Sequence, residues 1–130
     1  MKNTMAGAVF CMLLLAAAGC SHEEPEFLAG GREVESWVEA LGNPDPHLRR
    51  QAVMKLGNVG DADPAAAEAL SEALRDTDVQ VRRAAVFAVV KLKQPGEEIT
   101  EQLGVMSRTD SDAGIQDSAL RALAKLKRID

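Results

Sequence analysis

Three segments of this chain can be laid over one another. DPHLRRQAVMKLG begins at Asp45, DVQVRRAAVFAVV at Asp78 and DAGIQDSALRALAKL at Asp112. Between the first two, Asp45 matches Asp78, Leu48 matches Val81, Arg49 and Arg50 match Arg82 and Arg83, Ala52 matches Ala85, and Leu56 matches Val89, always at an offset of 33. The third copy is displaced by 34, so that Ile115, Ala119 and Leu123 stand where Val81, Ala85 and Val89 stood. Upstream of each copy lies a second matching segment, in which Trp37, Leu70 and Leu103 are again 33 apart. A period of this length, repeated three times, excludes most folds. Each unit is too small to bury its own apolar face, so the units must stack.

Each half of a unit carries helical signals. Val34, Trp37, Val38 and Leu41 follow the i, i+3, i+4, i+7 spacing of an amphipathic helix, and Gly42-Asn43 ends it. Asp45-Pro46 and Asp63-Pro64 read as N-cap and first helical residue, because Asp accepts the free backbone donors and Pro has none to leave unpaired. The stripe of the third helix is read as Ala67, Leu70, Ala73 and Leu74, and that of the fifth as Ile99, Leu103 and Met106. Alternating helices joined by short turns give an all-α fold, an α-solenoid of three helix-turn-helix repeats. The repeats are expected at about 32–60, 63–94 and 96–128 within a domain of residues 32–130.

The first residues follow another pattern. MKNTM is followed by AGAVFCMLLLAAAG, an uncharged run from 6 to 19 that is shorter than the roughly 20 residues of a membrane-spanning helix. Its length and flanks suit a secretory signal. Ala17-Ala18-Gly19-Cys20 resembles the lipobox of bacterial lipoproteins, with Ala17 where Leu is usual. The resemblance implies a signal peptide over 1–19, lipidation of Cys20, and a tether over 20–31. Ser21 stands where some lipoproteins carry an inner-membrane retention Asp, which implies the periplasmic face of the outer membrane. Cys11 would leave with the signal and Cys20 would carry lipid, so no thiol remains for a disulfide, nucleophile or metal.

The unit of Asp, Val/Leu-Arg, Ala and Leu after an Ala/Leu-rich helix resembles the HEAT repeat, in the short bacterial form also seen in phycobilisome lyases. Asp45, Leu48, Arg49, Ala52 and Leu56 carry the match in one copy, and Asp78, Val81, Arg82, Ala85 and Val89 in the next. The third copy has Gln116 in the Arg position. The resemblance implies that Arg49 and Arg82 hydrogen-bond between neighbouring repeats, with Asp45, Asp78 and Asp112 as structural partners. It also implies that second helices line a concave face.

Helical geometry then places candidate binding residues. If Ala85 faces the partner helix, Phe87 lies about 200° round the axis, with Arg83 on the same outward side. The equivalent positions are Arg50 and Met54 in the first repeat and Asp117 and Arg121 in the third. Arg50, Met54, Arg83, Phe87 and Arg121 therefore form a candidate partner-binding strip, apolar at the centre with Arg around it. Packing of Met54 and Phe87 between adjacent repeats is the other reading of the same spacing.

Several chemistries find no support. The net charge of −5 disfavours general nucleic-acid binding. His22 and His47 are the two histidines, and His22-Glu23 lies outside the repeats, so the paired ligands of HEAT-like iron hydroxylases do not recur. No phosphate loop, nucleophile elbow or metal-spaced ligand set appears, so no cofactor, metal or catalytic residue is expected. The expectation is a non-catalytic lipoprotein of the bacterial cell envelope, binding an unidentified envelope protein. A bilin-lyase-like or enzyme-associated chaperone subunit is the alternative.

Overall fold

Polar residues placed just before each apolar stripe decide where the helices start. The computed structural model describes residues 32–128. The expected signal peptide over 1–19, the lipidation expected at Cys20 and the expected tether over 20–31 lie outside the described residues. Helix α1 is Arg32–Ala40, α2 Pro46–Val59, α3 Pro64–Ala73, α4 Val79–Val89, α5 Glu97–Thr109 and α6 Ala113–Leu126. A 3-10 turn, Gly60–Ala62, joins α2 to α3. Asp45 accepts from the His47 backbone N–H at 2.8 Å, Asp63 from Ala65 at 2.9 Å, Asp78 from Gln80 at 2.8 Å, and Asp112 from Ile115 at 2.9 Å. Helix α5 starts on a glycine, Gly96, and there Glu97 and Glu98 place negative charge against the helix N-terminus. Gly60 ends α2 with φ +55°, a conformation that disfavours any side chain, and its N–H donates to Leu56 O.

The helices pair within each repeat and stack between repeats: α2 on α4, α4 on α6, α1 on α3, and α3 on α5. The result is the all-helical solenoid. Its core runs unbroken through the stack, from Val53 and Leu56 through Leu70, Leu74, Val81, Ala85 and Val89 to Leu103, Ile115 and Ala119. Two expectations shift. In α3 the stripe is Ala66, Ala69, Leu70, Ala73 and Leu74, while Ala67 is only half-buried at its edge. Leu48 is 41% exposed although its equivalents Val81 and Ile115 are fully buried. No described repeat precedes α2, so Leu48 has no helix pair to cover it. For the same reason Trp37, Val38 and Leu41 are half-buried, and Lys55 lies over the Trp37 ring at 5.8 Å.

Small residues allow the second helices to approach closely. A Cβ on Gly57 would stand 2.8 Å from the Ala88 Cβ and 3.3 Å from its Cα. That gap belongs to the α2–α4 contact, and a side chain there would push the two helices apart.

Side-chain rungs lock each repeat to the next. Arg49 Nε and Nη2 donate to Asp76 Oδ2 and Oδ1 at 2.8 and 2.9 Å, while its Nη1 donates to Asn43 O and Pro44 O. Arg82 repeats this one unit on, with Nε and Nη2 on Asp110 at 2.9 and 3.0 Å and Nη1 on Asp76 O and Thr77 O. Each acceptor carboxylate also receives a backbone N–H, Asp76 from Asp78 and Asp110 from Asp112. Gln116 keeps the local half of the pattern, donating from Nε2 to Asp110 O at 2.7 Å. Asp45 and Asp78 were expected as inter-repeat partners, but each uses its side chain to cap its own helix. The rungs end two residues earlier, where the carboxylate projects from the turn toward the preceding repeat's Arg.

Burial alone would raise the carboxyl pKa values of Asp76 and Asp110. Bonds from Arg49 and Arg82, backbone N–H groups and nearby positive charge outweigh it and hold both below the ordinary range. Folded carboxylates of this kind bind protons more weakly than the unfolded chain. Their stabilisation is complete above the unfolded value of about 3.9 and is lost as pH falls from there through the folded values.

Two outcomes are expected from urea unfolding. Arg82→Gln keeps the bond to Asp76 O but strands the Asp110 carboxylate, and should cost roughly 1.5–3 kcal/mol at pH 7. Adding Asp110→Asn should recover part of this and weaken the acid-side loss of stability below about pH 4. Gly57→Ala should destabilise, because overpacking of about 1–3 kcal/mol outweighs the gain of up to ~1 kcal/mol in helix propensity. Gly104→Ala, with only the Arg108 guanidinium 3.8 Å away, should stabilise by about 0.5–1 kcal/mol.

Candidate functional site

Successive turns of α2 present Arg50, Met54 and Asn58 on one wall, and α4 with the turn that follows it presents Arg83, Phe87 and Lys91 on the other. These six residues, with Gln80, Ala84 and Ala88, line a groove of about 350 Å³ along the seam between the two helices. The residues that bury the opposite faces of the same helices are Ala52, Val53 and Leu56, and Val81, Ala85, Val86 and Val89. A helix with its core on one side thus carries a second, open apolar surface on the other.

Met54 is 58% exposed and Phe87 63% exposed, so neither packs between repeats. They are the large apolar side chains of the groove, and Ala84 and Ala88 form its floor. Three cations surround them. Arg83 Nη2 reaches Asp112 Oδ1 at 3.4 Å across to the third repeat, and Lys91 Nζ reaches Asn58 Oδ1 at 3.3 Å. Arg50 makes no hydrogen bond or ion pair among the described residues. No carboxylate lines the groove, in a chain whose net charge is −5.

Of the candidate strip, Arg50, Met54, Arg83 and Phe87 therefore come together on one surface. Arg121 does not. It lies on α6, outside the groove, and pairs at 2.6 Å with Asp117 one turn earlier. The third repeat has Arg121 where the others have Met54 and Phe87, so the apolar centre stops after two repeats. Arg49 and Arg82 have their guanidinium groups committed to Asp76 and Asp110, which leaves no clamp for an external anion. Asp112 does join repeats, through Arg83.

Sequence reasoning missed two sets of residues. Asp76 and Asp110 recur two residues before their N-caps, with Asn43 in the same place in the first repeat, and that recurrence was the available signal. Asn58 and Lys91 lie one turn beyond Met54 and Phe87 at i+4, and Gln80 lies one turn before Ala84. Among the described residues there is no cluster of three or more His, Cys, Asp or Glu able to hold a metal, and no helix long and apolar enough to cross a membrane. His47 is exposed at the second position of α2.

The exposure of the groove makes a stability contrast measurable. Phe87→Asp should shift urea-unfolding stability by no more than about 0.5 kcal/mol, the range of surface changes. Val86→Asp, one residue earlier and 2% exposed, should cost more than ~3 kcal/mol by burying an unpaired charge.

Comparison with known proteins agrees with this architecture. A family profile described as HEAT repeats matches residues 34–124, which takes in all three helix pairs. No curated protein matches the chain. With most of its length matched to that profile, and with three stacked helix pairs held in register by arginine rungs, the chain belongs to the HEAT-repeat family.

Proposed function

We propose that this chain is a protein-binding scaffold of the bacterial cell envelope that does no chemistry of its own, held to a membrane by lipid on Cys20. HEAT repeats commonly mediate protein–protein interaction, and a protein partner suits this one. The observation that carries the reading is the groove between α2 and α4. Met54 and Phe87 stand open to solvent there, in the rim of Arg50, Arg83 and Lys91. Exposed Phe and Met flanked by Arg form the composition of an interface centre, where desolvated apolar anchors supply affinity and a charged rim supplies register.

The groove binds a segment of another envelope protein, and the anchor keeps the domain at the membrane where that partner lies. The support for the anchor is in the sequence: an uncharged run of 14 residues over 6–19 ending in small residues and Cys20. Lipid at Cys20, with several acyl chains in its fully modified form, makes attachment stable, since each buried methylene contributes about 0.8 kcal/mol. Ser21 after the cysteine favours the periplasmic face of the outer membrane.

Two measurements test the proposal. Arg83→Ala/Phe87→Asp should fold normally and lose capture of the partner from membrane extracts. Undiminished capture would remove the groove from the function. In cells fed a palmitate analogue, the wild-type chain should take up label and Cys20→Ala should not. Equal labelling of the two, or none on the wild type, would remove the anchor.

A further inference from the structure

The chain itself contains a segment whose chemistry matches the groove. Residues 22–28 read HEEPEFL, with three carboxylates, Glu23, Glu24 and Glu26, followed directly by Phe27 and Leu28. The groove offers three cations, Arg50, Arg83 and Lys91, around Met54 and Phe87, and no acid. Charge is thus opposite in sign between segment and groove, and each sets apolar side chains beside its charges.

The covalent path is long enough. Helix α1 begins at Arg32 and runs antiparallel to α2, joined to it by the short turn before Pro46, with Trp37 beside Lys55. Its first residues therefore lie alongside the half of α2 that carries Met54 and Asn58. Five residue-to-residue steps lead from Phe27 to Arg32 and span at most about 17 Å. That is about half the girth of a helix 10–12 Å across, the path around α2 from the α1 side to the groove side. Glu26, Glu24 and Glu23 extend beyond it to the cations. A tether this short holds the segment at an effective concentration of about millimolar, so weak complementarity suffices for occupancy.

We propose that Glu23–Leu28 docks in the groove between α2 and α4 of the same molecule, with Phe27 against Met54 and Phe87 and the glutamates on Arg50, Arg83 and Lys91. The proposal rests on the reading of the groove as a docking surface and says what occupies it when no partner is bound. A partner then has to present the same chemistry, carboxylates beside an apolar anchor, and displaces the chain's own copy.

Photo-crosslinking of the full chain in detergent micelles tests this, with p-benzoylphenylalanine in place of Phe27. On irradiation of the monomer, intramolecular adducts are expected on Met54 and on the stretch from Ala84 to Ala88. Arg50→Glu/Lys91→Glu should cut their yield at least five-fold. Adding Glu23→Lys/Glu24→Lys/Glu26→Lys to that variant should restore most of it. Absence of adducts, adducts elsewhere on the domain, adducts between two copies, or a yield indifferent to charge reversal would each overturn the proposal. Partner capture that depends on Arg83 and Phe87 would survive any of those results, so failure here is separable from failure of the groove as a binding surface.

Discussion

One bidentate pair per joint sets the geometry of this stack. Arg49 on Asp76 and Arg82 on Asp110 are the interactions on which the rest depends, because each guanidinium makes two kinds of bond together. One edge holds the carbonyls of its own turn, and the other holds the carboxylate of the next repeat. That carboxylate in turn closes its own turn through a backbone N–H. A fork with fixed donor directions allows little rotation between units, where a nonpolar contact alone would tolerate slippage. Apolar burial supplies most of the free energy of association between helices, but it is not directional. The rung determines which turn of one repeat meets which turn of the next.

The groove follows from that register. Met54 on α2 and Phe87 on α4 occupy equivalent places in successive repeats, so they share a surface only because the repeats stack without offset. The close approach of Gly57 to Ala88 brings the walls together, and Ala84 and Ala88 leave the floor low. Asp61 adds a further tie by accepting from the Lys93 and Gln94 backbone N–H groups at 2.7 and 3.3 Å, which binds the end of the first repeat to the end of the second. The face that results carries three cations in an acidic chain. Such a local reversal of sign is electrostatically complementary to carboxylates.

Much of this was legible in the residues. The offset of 33 between Asp45 and Asp78 identifies the unit, Asp-Pro pairs mark the starts of α2 and α3, and the repeat positions find Val81, Ala85 and Val89 in the core of α4 and Ile115 and Ala119 in that of α6, whereas Leu123 is only half-buried and Val86, Ala88, Ala122 and Leu126 widen the buried faces. The acceptors of the rungs were harder to read. Asp76 and Asp110 sit in turns, where Asp has an adequate local role and so hides a long-range one. Leu48 illustrates the same limit from the other side. Its type matches Val81 and Ile115, but burial depends on a neighbour that the residue itself does not encode. Arg121 shows that shared register does not ensure a shared surface, since Asp117 one turn away holds it on α6.

The sequence by itself determined the all-helical class, the three-fold repetition, the helix starts and the apolar faces. All of these follow from short-range spacing: 3.6 residues per turn, a cap before each stripe, and a period near 33. Only the tertiary structure decided that Met54 and Phe87 are open to solvent, that Arg50, Arg83 and Lys91 surround them, and that Arg49 and Arg82 are committed elsewhere. Whether a side chain on the outward flank of a helix is covered depends on the distance and rotation between two helices about 30 residues apart in sequence. That relation is set by the rungs and by the Gly57–Ala88 contact, and neither is a property of a single helix.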